Sequence, residues 1–247
     1  MATYHDLFKV GKEYLNKVRE SQQESIQEAA KLMGDCMLDN GLVQLFGVDH
    51  NHAFTMELFY GAGGLMPYHG FNLRDLVVRG KVSKEEADDP NFTRRSDIID
   101  MMWDMYNVLP NDIFIIASDL GNEGCVIDMA LKVKNKGHKL IVVTSLAEAK
   151  KVSAKHPSGK KLFELADLVI DSCVSNPDVV IEVADKAKIN QMATLTGNTI
   201  AQMLTAETYK YLVEVGHEAP VLLSANVSGA DVHNREISDK YLGRWNA

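Results

Sequence analysis

Cysteine is scarce. Cys36, Cys125 and Cys173 are the only three in 247 residues, an odd number without the paired spacing of a zinc or redox motif. Buried thiols in a reducing cytosol are expected. No stretch reaches the ~18 consecutive apolar residues that a membrane-spanning helix needs. The N-terminal MATYHDLFKVGKEYLNKVRE carries acids and bases where a signal peptide would be apolar, so a cytoplasmic protein is expected. Positive charge is short too: 26 Lys plus Arg stand against 34 Asp plus Glu, a formal net charge of −8. That balance leaves no basic footprint for nucleic acid or an anionic membrane. Solenoid repeats, low-complexity tracts and a nucleophile elbow are also missing, which removes support for triad hydrolysis.

What is present is an ordinary globular balance, 46% hydrophobic and 24% charged, in a chain long enough to bury a sizeable core. From Tyr4 to about Leu38, Leu7, Val10, Tyr14, Val18, Ile26, Ala29 and Met33 recur at helical spacing, as one long or two short amphipathic helices. GLVQLFG (41–47) reads as a buried strand, followed by a polar loop and a helical AFTMELFYGAGG. The same order returns where Ile113 to Ala117 give an apolar strand, Cys125 to Lys136 a helix ended by Gly137, and HKLIVVTS another strand. Strand, helix and strand across about thirty residues predict a right-handed parallel crossover. LADLVIDSC (165–173) adds a strand, Ile189 to Val215 a long helix, and the charged 72–92 segment a surface excursion over the site or a subunit boundary. The expectation is a single unit over 1–247, with an N-terminal helical arm at 1–40 and an α/β core beyond.

In an open parallel sheet, ligands sit beyond the carboxyl ends of the strands, where helix N-termini favour anions. After the first strand stand Gly47, Val48, Asp49, His50, Asn51 and His52. After the central one stand Ser118, Asp119, Leu120, Gly121, Asn122 and Glu123. Local readings accompany each of these: Ser118 as an N-cap, Asp119 and Glu123 as complements to a helix dipole, and Thr194, Thr196 and Thr199 as capping or packing residues.

Taken together, FGVDHNHAFTMELFYGAGG, IIASDLGNEGCVIDMALKVKNKGHKLIVVTS, HPSGKKLFELADLVID, TLTGNTIAQM and LSANVSGADVHNRE resemble the sugar-isomerase (SIS) domain family, in its stand-alone form, from about Ser21 to Tyr241. The resemblance implies a three-layer αβα sandwich on a five-stranded parallel, flavodoxin-like sheet. It also implies assembly as dimers or higher oligomers, a homodimer or homotetramer being expected, with sites at the subunit boundary, and binding or aldose–ketose isomerisation of a phosphosugar; no cofactor is expected. The family's phosphate loop, Ser-x-Ser-Gly-x-Thr, is kept at Ser118 and Gly121 but altered at Leu120 and Glu123, with Asp119 between the serine positions.

Three ligand readings follow. A phosphate could dock on backbone N–H groups with Ser118, Asn51, Asn122 and Thr196 or Asn198. An unphosphorylated or amino sugar could use Asp119 and Glu123 as acceptors. A divalent metal could sit among Asp49, His50, His52 and Glu57. For the chemistry, Glu57 resembles the glutamate base of some isomerases in this family, with His50, His52 or His233 as a partner. Glu57 could instead simply pair with Arg74 or Arg79.

Overall fold

The computed structural model describes residues 3–122, 124–175, 177–185 and 187–244. Its apolar runs become the strands β1 (Val43–Gly47), β3 (Ile113–Ala117), β4 (Lys139–Thr144) and β5 (Leu168–Asp171), joined at one edge by β2 (Tyr68–Phe71). All pairings are parallel, in the order β2-β1-β3-β4-β5. Because successive side chains point to opposite faces, Ile113, Ile115, Ile141 and Val143 join one core. Phe114, Ile116, Leu140 and Val142 join a second core on the other face.

Helices close both faces. On the first lie α1 (Tyr4–Ser21), α2 (Gln23–Leu38), α3 (His52–Tyr60) and the later α10 (Met192–Glu214). On the second lie the short α4 (Arg74–Val78), α5 (Lys84–Ala87) and α6 (Ile98–Trp103), then α7 (Cys125–Asn135). The short α8 (Leu146–Lys151) and α9 (Leu162–Leu165) link β4 to β5, and α11 (Ala230–Ser238) follows α10. Ile26, Met33, Phe54, Leu58, Ile200 and Leu204 fill the first interface. Each such side chain, once buried, contributes about 1.5–3 kcal/mol. The N-terminal arm is two helices, broken at Gln22, whose side-chain oxygen accepts the Asp171 N–H at 2.9 Å and fastens the arm to the end of β5.

Two expectations are corrected. The 72–92 segment is more than a surface excursion, since Leu76, Val82 and Phe92 are buried in the second core and anchor it. Residues 189–191 do not begin the long helix: they close an antiparallel hairpin of β6 (Val179–Ala184) and β7 (Ala187–Gln191). Strand β2 was not anticipated, because YHGF is short and contains a glycine. Among the described residues, no helix is long and apolar enough to cross a membrane.

At the amino edge of the sheet, immediately before β3, Asp112 is fully buried. It accepts two short bonds from Arg244 Nη2 (2.5 and 2.7 Å), the N–H groups of Leu42 (2.8 Å) and Leu109 (3.0 Å), and Gln44 Nε2 (2.9 Å). The Gln44 side-chain Oε1 in turn pairs with His69 Nδ1 at 2.7 Å.

Candidate functional site

A cavity of about 460 Å³ opens at the carboxyl edge of the sheet. Its first wall is the turn after β1. Gly47 is required there, because a Cβ would lie 2.8 Å from the Asn51 carbonyl oxygen as the chain doubles back. Asp49 takes a left-handed φ of 52°, and Asp49, His50 and Asn51 all line the cavity. Its second wall is the loop after β3. The Asp119 carbonyl accepts the Ser145 N–H (3.0 Å) and the Thr144 hydroxyl (2.9 Å), and Ser118 Oγ accepts the Gly121 N–H at 3.2 Å. Gly121, at φ 49°, leaves no room for a side chain beside Leu162, whose Cβ would be 2.6 Å away. Asn122 welds this loop to the next one: its carbonyl takes the N–H groups of Lys155 and His156, and its side-chain amide donates to Ser153.

The two walls meet in one bond. His50 Nε2 and Asp119 Oδ2 lie 2.6 Å apart, with side chains 34% and 22% exposed. Asp119, as hydrogen-bond acceptor and as a charge, raises the His50 pKa above the ordinary imidazole value against the opposing effect of burial. Opposite, helix α7 begins at Gly124 without a side-chain cap, and Gly124, Cys125 and Val126 line the cavity. The first-turn N–H groups of any helix lack internal partners and favour anions. Arg94 and Thr93 stand on the same wall. The Cys125 thiol is pushed up to about 12 by burial, which keeps it from serving as a nucleophile.

A small recess adjoins the cavity, sharing His50, Asn51 and Asp119 and adding Ser172, Thr194 and Asn198. Beyond it runs a larger, mostly apolar groove of about 1040 Å³ between α1 and α10. Thr194 and Asn198 line both, so recess and groove are neighbours.

The structure thus gathers Asp49, His50, Asn51, Ser118, Asp119, Gly121 and Asn122 around one cavity and brings Asn198 beside it. Other candidates lie elsewhere. Glu57 lines the groove and accepts a bond from Gln202 Nε2. His52 binds Thr55 Oγ1 at 3.0 Å, and burial lowers its pKa. His233 binds the Val221 carbonyl at 3.0 Å, outside the cavity. Thr196 is fully buried, its hydroxyl bonded to the carbonyls of Met192 and Ala193 in its own helix. Glu123 lies outside the described residues.

The metal quartet read from the sequence, Asp49, His50, His52 and Glu57, does not converge, because α3 carries His52 and Glu57 away from the cavity. Among the described residues, the group with ligand atoms all within 4.8 Å of one another is His50, Asp119 and Asp178. Asp178, Ser172 and Arg94 escaped the sequence reading. Ser172 follows β5 at the edge where ligands gather, a signal that could have found it, whereas Asp178 leads into a hairpin with no clear pattern.

Comparison with known proteins places this architecture. The chain is 33% identical over 233 residues to a UPF0309 protein of Geobacillus kaustophilus (strain HTA426), covering 94% of this chain and 91% of the relative. In fold it is similar to a phosphoheptose isomerase from Francisella tularensis (TM-score 0.54, 15% identity, 85% of this chain and 100% of the other). A phosphoheptose isomerase from Neisseria gonorrhoeae is similar as well (TM-score 0.53, 13% identity, 83% and 94%). The SIS domain model matches residues 6–145, more than half of the sequence, and the chain belongs to the SIS domain family.

Proposed function

We propose that the chain binds a sugar phosphate in the carboxyl-edge cavity and interconverts its aldose and ketose forms through an enediol. The observation that carries the reading is the polarity of that cavity. The cavity offers the uncapped start of α7 with Arg94 and Ser118, suited to a phosphate, and, where its two walls meet, the His50–Asp119 pair, suited to sugar oxygens. The chain's likeness in fold to two phosphoheptose isomerases supports the reading.

Isomerisation needs one group to take the C2 proton and another to move a proton between O1 and O2. His50, oriented by Asp119, fills the second role. Glu57, which lines the adjoining groove and not the cavity, is the candidate for the first. A second copy of the chain is proposed to pack on the apolar groove between α1 and α10, where Phe8 is 73% exposed. Residues 1–247 are read as a single unit, and the three unpaired cysteines support a reducing compartment.

The test is proton NMR in deuterium oxide with matched phosphorylated and free sugars, following the C2 proton. Exchange confined to phosphorylated members is expected. Exchange of free sugars alone would remove phosphate from the reading, and no exchange would remove the chemistry. A second reading, binding without turnover, is favoured by the engagement of Glu57 with Gln202 outside the cavity. Glu57→Gln separates the two, since loss of exchange with ligand binding retained is expected only of a base.

A further inference from the structure

Among the described residues, four buried side-chain polar atoms find no hydrogen-bond partner: Ser172 Oγ, Asp178 Oδ2, Asn198 Oδ1 and Arg244 Nε. Three of the four belong to residues around the candidate site. Asp178 lines the cavity, and Ser172, only 4% exposed, lines the recess with Asn198; His50 and Asp119 belong to both. Buried polar groups are seldom left unpaired, and two of these three atoms can only accept. The cavity around them is acidic as well, with Asp49, Asp119, Asp178 and Glu148 against Arg94 and His50, and with Glu148 already bridged to Lys151 at 2.8 Å.

Such a set asks for a cation that donates hydrogen bonds. Oxygens of Asp119 and Asp178 separated by no more than 4.8 Å can both reach one nitrogen at about 2.8 Å, at an angle of at most about 120°. A metal ion fits less well. Of the two His50 ring nitrogens, Nε2 is taken up by its 2.6 Å bond to Asp119, which leaves only Nδ1 for a metal.

Resting on the sugar-phosphate reading, we propose that the ligand is an amino-sugar phosphate whose free ammonium group sits between Asp119 and Asp178, beside Ser172 and Asn198. An ammonium brings three donors to this acceptor-rich corner, where a hydroxyl brings one. With nitrogen at C2, the same proton removal gives an enaminol instead of an enediol; protonation at C1 then gives a C2 imine, which water hydrolyses to the ketose with release of ammonia.

The test is titration calorimetry of the whole protein with glucosamine 6-phosphate, glucose 6-phosphate and N-acetylglucosamine 6-phosphate. Glucosamine 6-phosphate is expected to bind about tenfold tighter than glucose 6-phosphate or more, from a charge-assisted bond, and acetylation to abolish the advantage. Asp178→Asn should shrink the preference below about threefold while glucose 6-phosphate binding holds or tightens, because a negative charge has left the cavity. Asn198→Asp, which adds one, should widen it. Equal affinities, a preference for the acetylated sugar, or stoichiometric metal in the purified protein that Asp178→Asn loses would each overturn the proposal. Failure of all three sugars to bind would overturn the sugar-phosphate reading beneath it as well.

Discussion

The two edges of the sheet treat buried carboxylates in opposite ways. At the amino edge, Asp112 is saturated by Arg244, Gln44 and two backbone N–H groups, and the neighbouring His69 is driven neutral, its pKa pushed down to about 4 by burial. At the carboxyl edge, Asp119 holds a half-buried His50 whose pKa is raised, and Asp178 keeps an unpartnered oxygen. A closed network of this kind holds a structure together. An open one leaves valence for something that arrives later. The distinction is one of satisfaction rather than residue type, since both edges use Asp and His.

The contrast is broken most severely at Asp112. Asp112→Ala leaves the Arg244 guanidinium buried without its partner and should lower unfolding stability by about 3–5 kcal/mol in urea titrations. A loss under about 1 kcal/mol would mean that the network is ornamental. Next comes the pH response of His69. Its folded-state pKa lies below the unfolded value of 6.5, so the unfolded chain binds more protons between the two. Stability from this group is therefore complete above about pH 6.5 and falls as the pH drops toward about 4, by an amount on the order of 3 kcal/mol. Comparing the pH dependence of wild type and His69→Asn isolates it, and identical curves would dismiss it.

His50 should behave with the opposite sign. Its raised pKa makes the Asp119 pair a stabilising contact below the unfolded imidazole value, lost as the pH climbs through the folded one. His50→Gln should cost the C2 exchange rate about a hundredfold or more and change unfolding stability by no more than about 1 kcal/mol, given the partial exposure of the pair. The smallest effect is expected at Thr196→Val, because the Thr196 hydroxyl is satisfied within its own helix: ligand affinity should be unchanged, within about twofold. A larger loss would bring Thr196 back into the site.

Much of this was legible in the sequence, and the exceptions have physical reasons. The three central strands, β1, β3 and β4, announce themselves because both of their faces are buried, so each reads as an apolar run, and β5 at the far edge keeps enough of one in LVI to be read as well. The loops after β1 and β3 followed from where such strands end, and with them His50, Asn51, Ser118 and Asp119. Strand β2 and the β6–β7 hairpin were missed because an edge strand and a half-exposed ribbon need little hydrophobic pattern; Val179–Ala184 has a single buried position, Ile181. Asp178 was lost with the hairpin that presents it. Glu57 was legible as a helical acid, but which face of α3 it occupies depends on how α10 packs, and Gln202 lies 145 residues away in sequence.

The weld at Asn122 has a consequence in time. Its carbonyl holds two successive amides, those of Lys155 and His156, and its side chain holds Ser153, so the loop facing the ligand cannot part from residues 153–156 without breaking three bonds at once. The loop is set before anything binds, and a guest meets a finished wall rather than one it must shape. The amide hydrogens of Lys155 and His156 should therefore exchange with solvent slowly and in concert, and their exchange rate serves as a clock for how often the site comes apart.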